Sequence, residues 1–402
     1  MIFLLGNHVR SARRSPAAVC LAVLLILLAS ACGAQGSGLA DHLIFIGRRD
    51  GGYDIRLPRD EGPPITLSRN LPWDSFPVWS PDGSRIAFYS DRNFDIQDRN
   101  DNLDIFTINA DGSGMTDLTP QPAHDAFPYW SPDGTRILFY SQRDGNGEVY
   151  VMKADGSDLQ RLTTSPGVDI PFGWSPDGSH IGFISGRSGN LEIYTAAPDG
   201  TGVKRITKSK GNNYSPVWSP DGSRIAFESD RDGNHEVYVA NADGSNPVNM
   251  SVRPLRDANP AWSPDGRHLA FVSERDGDPE IYVMNTQFST LDRITSSPRD
   301  DGSPAWSPDG TRLAFVSNRD FDPNIYVVNA DGSGPVRYTF EISIEVGPAW
   351  SPDGGRLAFE ALRDGRRDVY VLGADGSGLV RLTNDVTPVA VAPGWAPSNT
   401  SD

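Results

Sequence analysis

Two kinds of charged side chain recur at fixed distances from a series of tryptophans, and both could take part in ligand binding. The position five residues before each tryptophan is occupied in turn by Asp74, Asp125, Asp169, Asn213, Asp257, Asp301, Glu345 and Ala390. Thirteen residues after each tryptophan stand Arg92, Arg143, Arg187, Arg231, Arg275, Arg319 and Arg363, and Arg48 fills this place near the N-terminus. A ring of acids could bind a cation, an amine or a basic peptide, whereas acids facing arginines would form repeated ion pairs.

The two interpretations differ most where the pattern breaks. We favour structural ion pairs, because every repeat of the same geometry would form one. Asn213 and Ala390 replace the acid, so Arg231 and Arg48 lack the carboxylate that other repeats supply. Such arginines on a binding surface would select an anionic group on a partner. The candidate binding residues at the mouth of the central channel are Arg48, Arg231, Asp74, Asp125, Asp169, Asp257, Asp301 and Glu345.

Catalytic chemistry has weaker support in the sequence. The histidines are His8, His42, His124, His180, His235 and His268. They are scattered over different repeats and do not form the histidine and carboxylate set of a metal site. The nucleophile motif Gly-x-Ser-x-Gly is absent. We therefore expect no enzyme activity, no metal and no cofactor. The open alternatives are a hydrolase or lyase, or a carbohydrate or small-ligand binder, with its site in the channel.

The tryptophans belong to a repeated motif, Trp-Ser-Pro-Asp-Gly, which predicts the elements that position these charges. The motif begins at Trp79, Trp130, Trp174, Trp218, Trp262, Trp306 and Trp350, with a degenerate copy at Trp395. Its spacing is 51 residues once, 44 five times and 45 once. The order Ser-Pro-Asp-Gly suits a type I turn. Short runs rich in Val, Ile, Phe and Tyr between such turns predict four antiparallel strands per repeat.

Repeats of four short strands predict an all-β fold, a β-propeller of four-stranded antiparallel blades. Before the first motif lie three strand-like runs, at 43–46, 53–55 and 65–68, and one more lies at 393–395. Joined, the two chain ends make one blade that closes the ring and leaves no free sheet edge. The count is eight blades, or seven if the N-terminal runs are displaced.

The N-terminal segment predicts export. Arg10, Arg13 and Arg14 precede an apolar stretch that is too short to span a membrane comfortably and is typical of a signal peptide. We expect a signal peptide at 1–31, a flexible tether at 32–40, one propeller domain at 41–397 and a tail at 398–402. Residues 28–32, ending in Cys32, resemble the lipobox of bacterial lipoproteins, which implies lipidation of Cys32. The alternative is an ordinary cleavage site, an incidental Cys32 and a free secreted protein.

Charge and cysteine content narrow the classes of partner. The chain has 36 basic and 52 acidic residues, and without residues 1–31 its net charge would be −19. Such a surface repels nucleic acid and anionic headgroups, so we expect contact with a membrane only through an N-terminal lipid. The two cysteines, Cys20 and Cys32, precede the propeller, which therefore has no disulfide. We expect a monomer that binds a protein or peptide at the cell envelope.

The Trp-Ser-Pro-Asp-Gly repeats resemble the TolB-type propeller repeats from Leu43 to Trp395. The resemblance implies an exported propeller with an interaction surface, in the periplasm or on the cell surface. Some related propellers are metal-dependent polysaccharide lyases, but this chain lacks their histidine cluster. The first full repeat has seven extra residues around 95–104, rich in Asp and Asn. We expect a solvated hairpin extension there that is exposed to partners, in preference to a calcium loop.

Overall fold

The computed structural model describes residues 43–49, 52–58, 64–68, 73–93, 102–252, 254–287, 290–341, 343–363, 365–383 and 390–397. Within these ranges the protein consists of strands and turns, without a helix. The predicted signal peptide, the tether, Cys20, Cys32, His8, His42 and most of the insertion at 95–104 lie outside the described residues.

The strands are short and evenly spaced along the chain, as the repeat predicts. They are β1 (Leu43–Arg49), β2 (Gly52–Leu57), β3 (Ile65–Thr66), β4 (Asp74–Trp79), β5 (Arg85–Ser90), β6 (Asp104–Asn109), β7 (Thr116–Asp117), β8 (Asp125–Trp130), β9 (Arg136–Ser141), β10 (Glu148–Lys153), β11 (Gln160–Arg161), β12 (Asp169–Trp174), β13 (Ile181–Ser185), β14 (Glu192–Ala196), β15 (Lys204–Arg205), β16 (Asn213–Trp218), β17 (Arg224–Ser229), β18 (Glu236–Asn241), β19 (Val248–Asn249), β20 (Asp257–Trp262), β21 (His268–Ser273), β22 (Glu280–Asn285), β23 (Thr290–Arg293), β24 (Asp301–Trp306), β25 (Arg312–Ser317), β26 (Asn324–Asn329), β27 (Val336–Arg337), β28 (Ile344–Trp350), β29 (Arg356–Arg363), β30 (Arg366–Gly373), β31 (Val380–Arg381) and β32 (Ala390–Trp395).

These strands form eight four-stranded antiparallel sheets, so the eight-blade count is confirmed. Blade 1 combines β32 with β1, β2 and β3, and blades 2 to 8 take four consecutive strands each. The strands that end in tryptophan pack against one another around the axis, as β4 does against β8 and β32 does against β4. These are therefore the innermost strands, and the pairing of β1 with β32 closes the ring.

The Ser-Pro-Asp-Gly segment forms the predicted turn, and its hydrogen bonds explain why Ser, Asp and Gly recur in it. In blade 3 the Gly134 N–H donates to the Ser131 carbonyl at 2.8 Å, which closes the turn. The Asp133 carboxylate accepts hydrogen bonds from the Ser131 hydroxyl at 2.5 Å and from the Thr135 N–H at 3.0 Å. These bonds lower the pKa of Asp133 to about 2, because they stabilise the ionised carboxylate. The aspartates of the motif are therefore structural.

The core lies between blades because both faces of each second strand are covered. One phenylalanine per blade is fully buried: Phe45, Phe88, Phe139, Phe183, Phe227, Phe271, Phe315 and Phe359. Most of these rings pack on an aromatic ring of the third strand, as Phe183 does on Tyr194 at 5.5 Å between ring centroids. This double-sided burial explains why the second strands read as continuous apolar runs and do not alternate.

The innermost strands carry a bulge, and blade 4 places it differently. Three residues before the tryptophan, six blades have a positive φ: 54° at Phe76, 55° at Phe127, 49° at Ser215, 58° at Asn259, 55° at Ser303 and 63° at Gly347. Blade 4 has Pro171 there, whose ring fixes φ near −65°. The bulge moves to Gly173, with φ of 118°.

The displaced bulge has a consequence in the next blade. Seven tryptophan indoles donate to the carbonyl that precedes the tryptophan of the previous blade, as Trp262 does to Val217 at 3.3 Å. The Nε1 of Trp218, whose acceptor would be Gly173, is buried without a hydrogen-bond partner. The junction of blades 4 and 5 therefore lacks one link that the other junctions have.

Candidate functional site

The acid and arginine of each repeat meet at the start of the innermost strand. Six blades form the pair, with nitrogen–oxygen distances of 2.8 Å for Arg92–Asp74, 2.8 Å for Arg143–Asp125, 2.6 Å for Arg187–Asp169, 3.4 Å for Arg275–Asp257, 2.8 Å for Arg319–Asp301 and 2.8 Å for Arg363–Glu345. All six acid side chains are fully buried. The predicted structural ion pairs are thus confirmed, and the carboxylates do not form an open ring at the channel mouth.

Two blades have no acid at this position, and their arginines are Arg231 and Arg48. Arg231 donates to the Asn213 side-chain oxygen at 2.8 Å and to the Ser229 hydroxyl at 2.9 Å, and its guanidinium lies over Tyr238. It therefore has polar partners but faces no carboxylate at this position. Arg48 lies in β1 and Ala390 in β32, where Gly47 pairs with Ala390. The side chains of Arg48 and Ala390 are outside the described parts, so the role predicted for Arg48 stays a prediction.

A second set of buried polar side chains, which the sequence analysis missed, lies beside the first. One begins or nearly begins each third strand: Asp54, Asp104, Glu148, Glu192, Glu236, Glu280, Asn324 and Asp368. Several lie close to the acid position of the next blade: burial raises the pKa of Asp301 and the charge of Glu280 adds to this shift, and Glu148 acts in the same way on Asp169. The sequence contains a pattern that could have revealed this set, because from blade 3 to blade 8 each member follows the tryptophan of its repeat by 18 positions.

Most members of this second set have their own arginine from the outermost strand. Arg161 contacts Glu148 at 2.9 Å and Arg205 contacts Glu192 at 2.7 Å. At two junctions an amide replaces one acid: Asn213 donates to Glu192 at 3.1 Å, and Asn324 precedes Glu345. The repeated charges are therefore mostly paired within their own blades, and the hydrogen bond from Asn213 to Glu192 connects blade 5 to blade 4.

The junction of blades 2 and 3 is the least compensated described part of this set of charges. Blade 2 has Asp117 where blades 3 and 4 have Arg161 and Arg205, so Asp104 has no arginine from its own outermost strand, and the charge of Arg143 offsets its burial only in part. Asn93 and Asn102 each donate to one Asp104 oxygen at 2.9 Å, while its other oxygen is buried without a partner. Burial, with the charges of Asp117 and Asp125, raises the pKa of Asp104 to about 7.

Replacing Asp104 by asparagine is expected to stabilise the protein above neutral pH. A carboxyl whose pKa is raised in the folded state contributes stability at low pH that is lost as pH rises from about 4 to about 7. Asp104→Asn removes this loss and should raise the free energy of unfolding at pH 8 by roughly 2 kcal/mol, with a clearly smaller gain at pH 5. Urea unfolding at both pH values measures the effect.

The matched control is Asp111→Asn in the exposed turn of the same blade. The Ser113 hydroxyl and N–H hold the pKa of Asp111 below its usual value, so its titration lies outside this range. The control should leave the change between pH 5 and pH 8 unaltered. An Asp104→Asn chain that is less stable than the native protein at pH 8 would contradict the proposed proton linkage.

The described histidines lie in four different blades and contact different groups. His180 contacts Ser179, His268 lies against Trp306, and His124 and His235 pack on Tyr140 and Tyr214. In the part of the chain that the structure describes, no group of three or more His, Cys, Asp or Glu residues is arranged to hold a metal ion. The same residues contain no helix long and apolar enough to cross a membrane.

One hairpin departs from the repeat in a way that points to function. Phe321 lies at the tip between β25 and β26, with φ of 83° and 77% of its surface exposed. Five other blades have glycine at this position, also with positive φ: Gly145, Gly189, Gly233, Gly277 and Gly365. A phenylalanine in this conformation is strained by about 1–2 kcal/mol. An exposed ring contributes nothing to the core that would offset this strain.

A second exposed phenylalanine lies next to this hairpin. Phe340, which is 73% exposed, follows β27 in the loop that leads into blade 8. Arg337 links the two, because it contacts Asp320 at 3.0 Å and its guanidinium lies over the Phe340 ring. The Arg299 guanidinium lies 4.3 Å from the centroid of the Phe321 ring. We call Arg299, Phe321, Arg337 and Phe340 the aromatic patch.

The closed ring of eight four-stranded blades defines the protein as an eight-bladed β-propeller. Residues 165–259 and 252–346 match the TolB beta propeller domain, and residues 100–192 match the Tricorn protease N-terminal beta propeller domain. Together with the repeat, these matches identify the chain as a TolB-like β-propeller.

The similar proteins of known sequence or structure share parts of this architecture. The uncharacterized peptidase YuxL of Bacillus subtilis is 35% identical over 75 residues, which cover 17% of this chain and only 10% of that protein. Porphyromonas gingivalis dipeptidyl peptidase 4 has a TM-score of 0.66 at 13% identity, covering 89% of this chain and 60% of that one. An oligogalacturonate lyase in complex with manganese has a TM-score of 0.55 at 16% identity, covering 84% and 98%. At these identities the two structural similarities show the fold alone.

Proposed function

We propose that this chain is an exported β-propeller that binds a protein or peptide partner at the cell envelope and that it has no catalytic activity of its own. Its N-terminal segment would deliver it there, with Cys32 as the lipid attachment point. The partner binds the face that carries the loops into the innermost strands and the hairpins between second and third strands. We call this surface the loop face.

The observation that carries the proposal is Phe321. A strained residue at an exposed tip persists where function requires it, and here five equivalent positions have the unstrained choice, glycine. Aromatic and arginine side chains are the groups most enriched at the centres of protein interfaces. The aromatic patch supplies two of each within one blade and its neighbour. It can therefore insert apolar rings into a partner while the Arg299 guanidinium binds carboxylate or carbonyl oxygens. Arg337 donates to Thr339, Asp320 and Asn324 and supports the Phe340 ring.

Other exposed apolar side chains lie on the same face, at the entrances of several blades. Trp73, Val252, Leu255 and Ile344 are exposed in or beside loops that enter innermost strands. The repeated acids, in contrast, are buried, and their arginines are held against them. The loop face therefore offers a partner those side chains that differ between repeats, whereas the invariant charges serve the fold.

Capture from native cell envelopes with the full chain tests the proposal. Phe321→Ser/Phe340→Ser is expected to reduce recovery of the partner at least about tenfold, because two interface anchors of about 1–2 kcal/mol each are lost. The control is Leu159→Ser/Leu379→Ser, which removes two exposed leucines beside the outermost strands of blades 3 and 8. Binding of the recovered partner, once purified, should be saturable and should show the same difference between variants. Equal recovery by both double variants would contradict the proposal.

The enzymatic alternative is tested on the same preparation. Oligogalacturonate is incubated with the purified chain with and without manganese, and the ultraviolet absorbance of an unsaturated product is followed. We expect no absorbance change above that of a protein-free control. Turnover that depends on the chain would replace the binding proposal by a lyase function.

A further inference from the structure

The lysines of this chain are few and are concentrated in one place. The chain has four lysines, at positions 153, 204, 208 and 210. Three of them fall in the seven residues from Lys204 to Lys210, which include β15 and the loop that leads from blade 4 into blade 5. In a chain whose net charge is −16, this is a strong local reversal of sign.

The repeat provides an internal comparison for each of these positions. Where blade 4 has Lys204, Lys208 and Lys210, blade 3 has Gln160, Thr164 and Pro166, and blade 6 has Asp292, Ser296 and Pro298. The fourth change at this junction is Asn213, which replaces a buried acid and removes a negative charge. All four changes make the local charge more positive.

Lys204 and Lys208, but not Lys210, line a cleft on the outer side of the junction. The cleft has a volume of about 620 Å³, and its charged lining consists of Lys204, Arg205, Lys208, Arg231 and Asp243. Arg205 is paired with the buried Glu192 at 2.7 Å. Asp243 accepts hydrogen bonds from the Ser245 N–H at 2.8 Å and from its hydroxyl, and Lys204 lies near enough to help lower the pKa of Asp243. The cations of the cleft therefore outnumber its anions.

Arg231 is held in position and faces no acid at its repeat position. Its Nε donates to Ser229 and one terminal nitrogen donates to Asn213, while the guanidinium lies 4.2 Å from the centroid of the Tyr238 ring. This arrangement fixes the planar group without neutralising it, so it can bind an oxyanion with little loss of side-chain entropy. Lys204 and Lys208 are exposed and can close on a ligand from the other side.

A cleft between blades 3 and 4, whose lining shares only the repeat positions of Gln160 and Asp199 with the first cleft, provides a contrast. It has a volume of about 330 Å³, and its charged lining is Arg136 and Lys153 against Asp158 and Asp199. Positive and negative groups are balanced there, and Lys153 contacts Asp158 at 3.7 Å. The excess of positive charge in the cleft between blades 4 and 5 is therefore not shared by the cleft between blades 3 and 4.

We propose that the cleft between blades 4 and 5 binds a small multivalent oxyanion, a ligand bearing phosphate or several carboxylates, through Lys204, Lys208 and Arg231. Its volume suits a small ligand, and the acidic surface of the rest of the chain repels long polyanions such as nucleic acid. The site lies on the junction of blades 4 and 5, away from the aromatic patch of blade 7, so it stands or falls independently of the proposed partner binding.

Lysine acylation of the full chain tests this directly, since each of the four lysines reports its own accessibility by mass spectrometry. Inorganic phosphate and citrate are the two probes, at an ionic strength held constant with sodium chloride. At saturation we expect the rates at Lys204 and Lys208 to fall at least about fivefold, while Lys153 reacts as before. Protection by phosphate alone assigns a phosphoryl ligand, and protection by citrate alone assigns a polycarboxylate.

Calorimetric titration of variants completes the test. Lys204→Gln/Lys208→Gln should weaken binding of the protecting probe about tenfold or more, because each hydrogen bond to a charged group contributes appreciably. Lys153→Gln removes the same charge elsewhere and should leave the affinity unchanged. Arg231→Gln should also abolish protection, and circular dichroism checks that it is folded. A failure of both phosphate and citrate to protect Lys204 and Lys208, equal slowing at Lys153, or unchanged affinity in the double variant would overturn the proposal.

Discussion

Replacing Arg319 by methionine is expected to lower the free energy of unfolding by about 3–5 kcal/mol at pH 8. Arg319 contacts the fully buried Asp301 at 2.8 Å, and its Nε donates to Ser317 at 2.7 Å. Methionine keeps most of the packing on Phe315 and Tyr326 but leaves a buried carboxylate without its cation. Urea unfolding measures the loss, which would identify the repeated pairs as structural.

The pH dependence of this loss follows from Asp301. Burial raises the pKa of Asp301 to about 6, although the charge of Arg319 opposes the shift. At pH 5 Asp301 is largely protonated, so the pair is weaker and Arg319→Met should cost clearly less than at pH 8. Arg319→Met/Asp301→Leu should recover much of the stability, because no buried charge remains.

An exposed pair provides the control for Arg319→Met. Lys153 and Asp158 are both more than half exposed and lie 3.7 Å apart, so Lys153→Met should change the stability by less than about 1 kcal/mol. A similar effect of both substitutions would contradict the structural role of the buried pairs.

Removal of residues 390–402 is expected to lower the melting temperature by about 10 °C or more and to promote aggregation. The deletion removes β32, which pairs with β1 between Leu43 and Gly47 and closes blade 1. It exposes the β1 edge and the buried Leu43 and Phe45, against which Trp395 packs. It also removes the Gly394 carbonyl that accepts the Trp79 indole hydrogen bond. The ring would become an open arc.

Removal of residues 398–402 alone is the matched control for this truncation. It leaves β32 and Trp395 in place, so the melting temperature should not change. A chain lacking 390–402 that melts within about 2 °C of the full chain would show that closure through β32 contributes little to stability.

The sequence was sufficient to predict the blades and their closure because the repeat determines them. A constant spacing between tryptophans determines the number of strands, and the incomplete sets at the two chain ends complete each other in one blade. The pairing of Arg187 with Asp169 was also predictable, since the loops that carry them emerge on one face. Features of this kind lie within a single repeat, so they can be predicted from the sequence of one repeat and then apply to all.

Other features depended on contacts between repeats and could not be predicted from one repeat. The second set of polar residues, such as Glu148, has a fixed spacing, but its closeness to Asp169 arises only when blades pack. The bulge at Gly173 follows from Pro171, yet its effect appears on Trp218 in the next blade. A phenylalanine does not by itself indicate a positive φ, so the conformation of Phe321 was not predicted. The glycines at the equivalent positions of five other blades do indicate it and could have been used.

Comparison of Arg319→Met with Phe321→Gly separates structural from binding residues within one hairpin. Phe321→Gly restores the residue found in five other blades, relieves strain and loses the contact with Arg299. Because the relief of strain is stabilising and the loss of the Arg299 contact is destabilising, the free energy of unfolding should stay within about 1 kcal/mol of the native value.

The most direct test of the account is the binding of the captured partner to these two variants, measured well below their unfolding temperatures. We expect Phe321→Gly, with its stability preserved, to lose most of its affinity, and the destabilised Arg319→Met to bind as the native chain does. Native affinity in Phe321→Gly, or a loss confined to Arg319→Met, would contradict the claim that the residues breaking the repeat bind the partner and the repeated charges serve the fold.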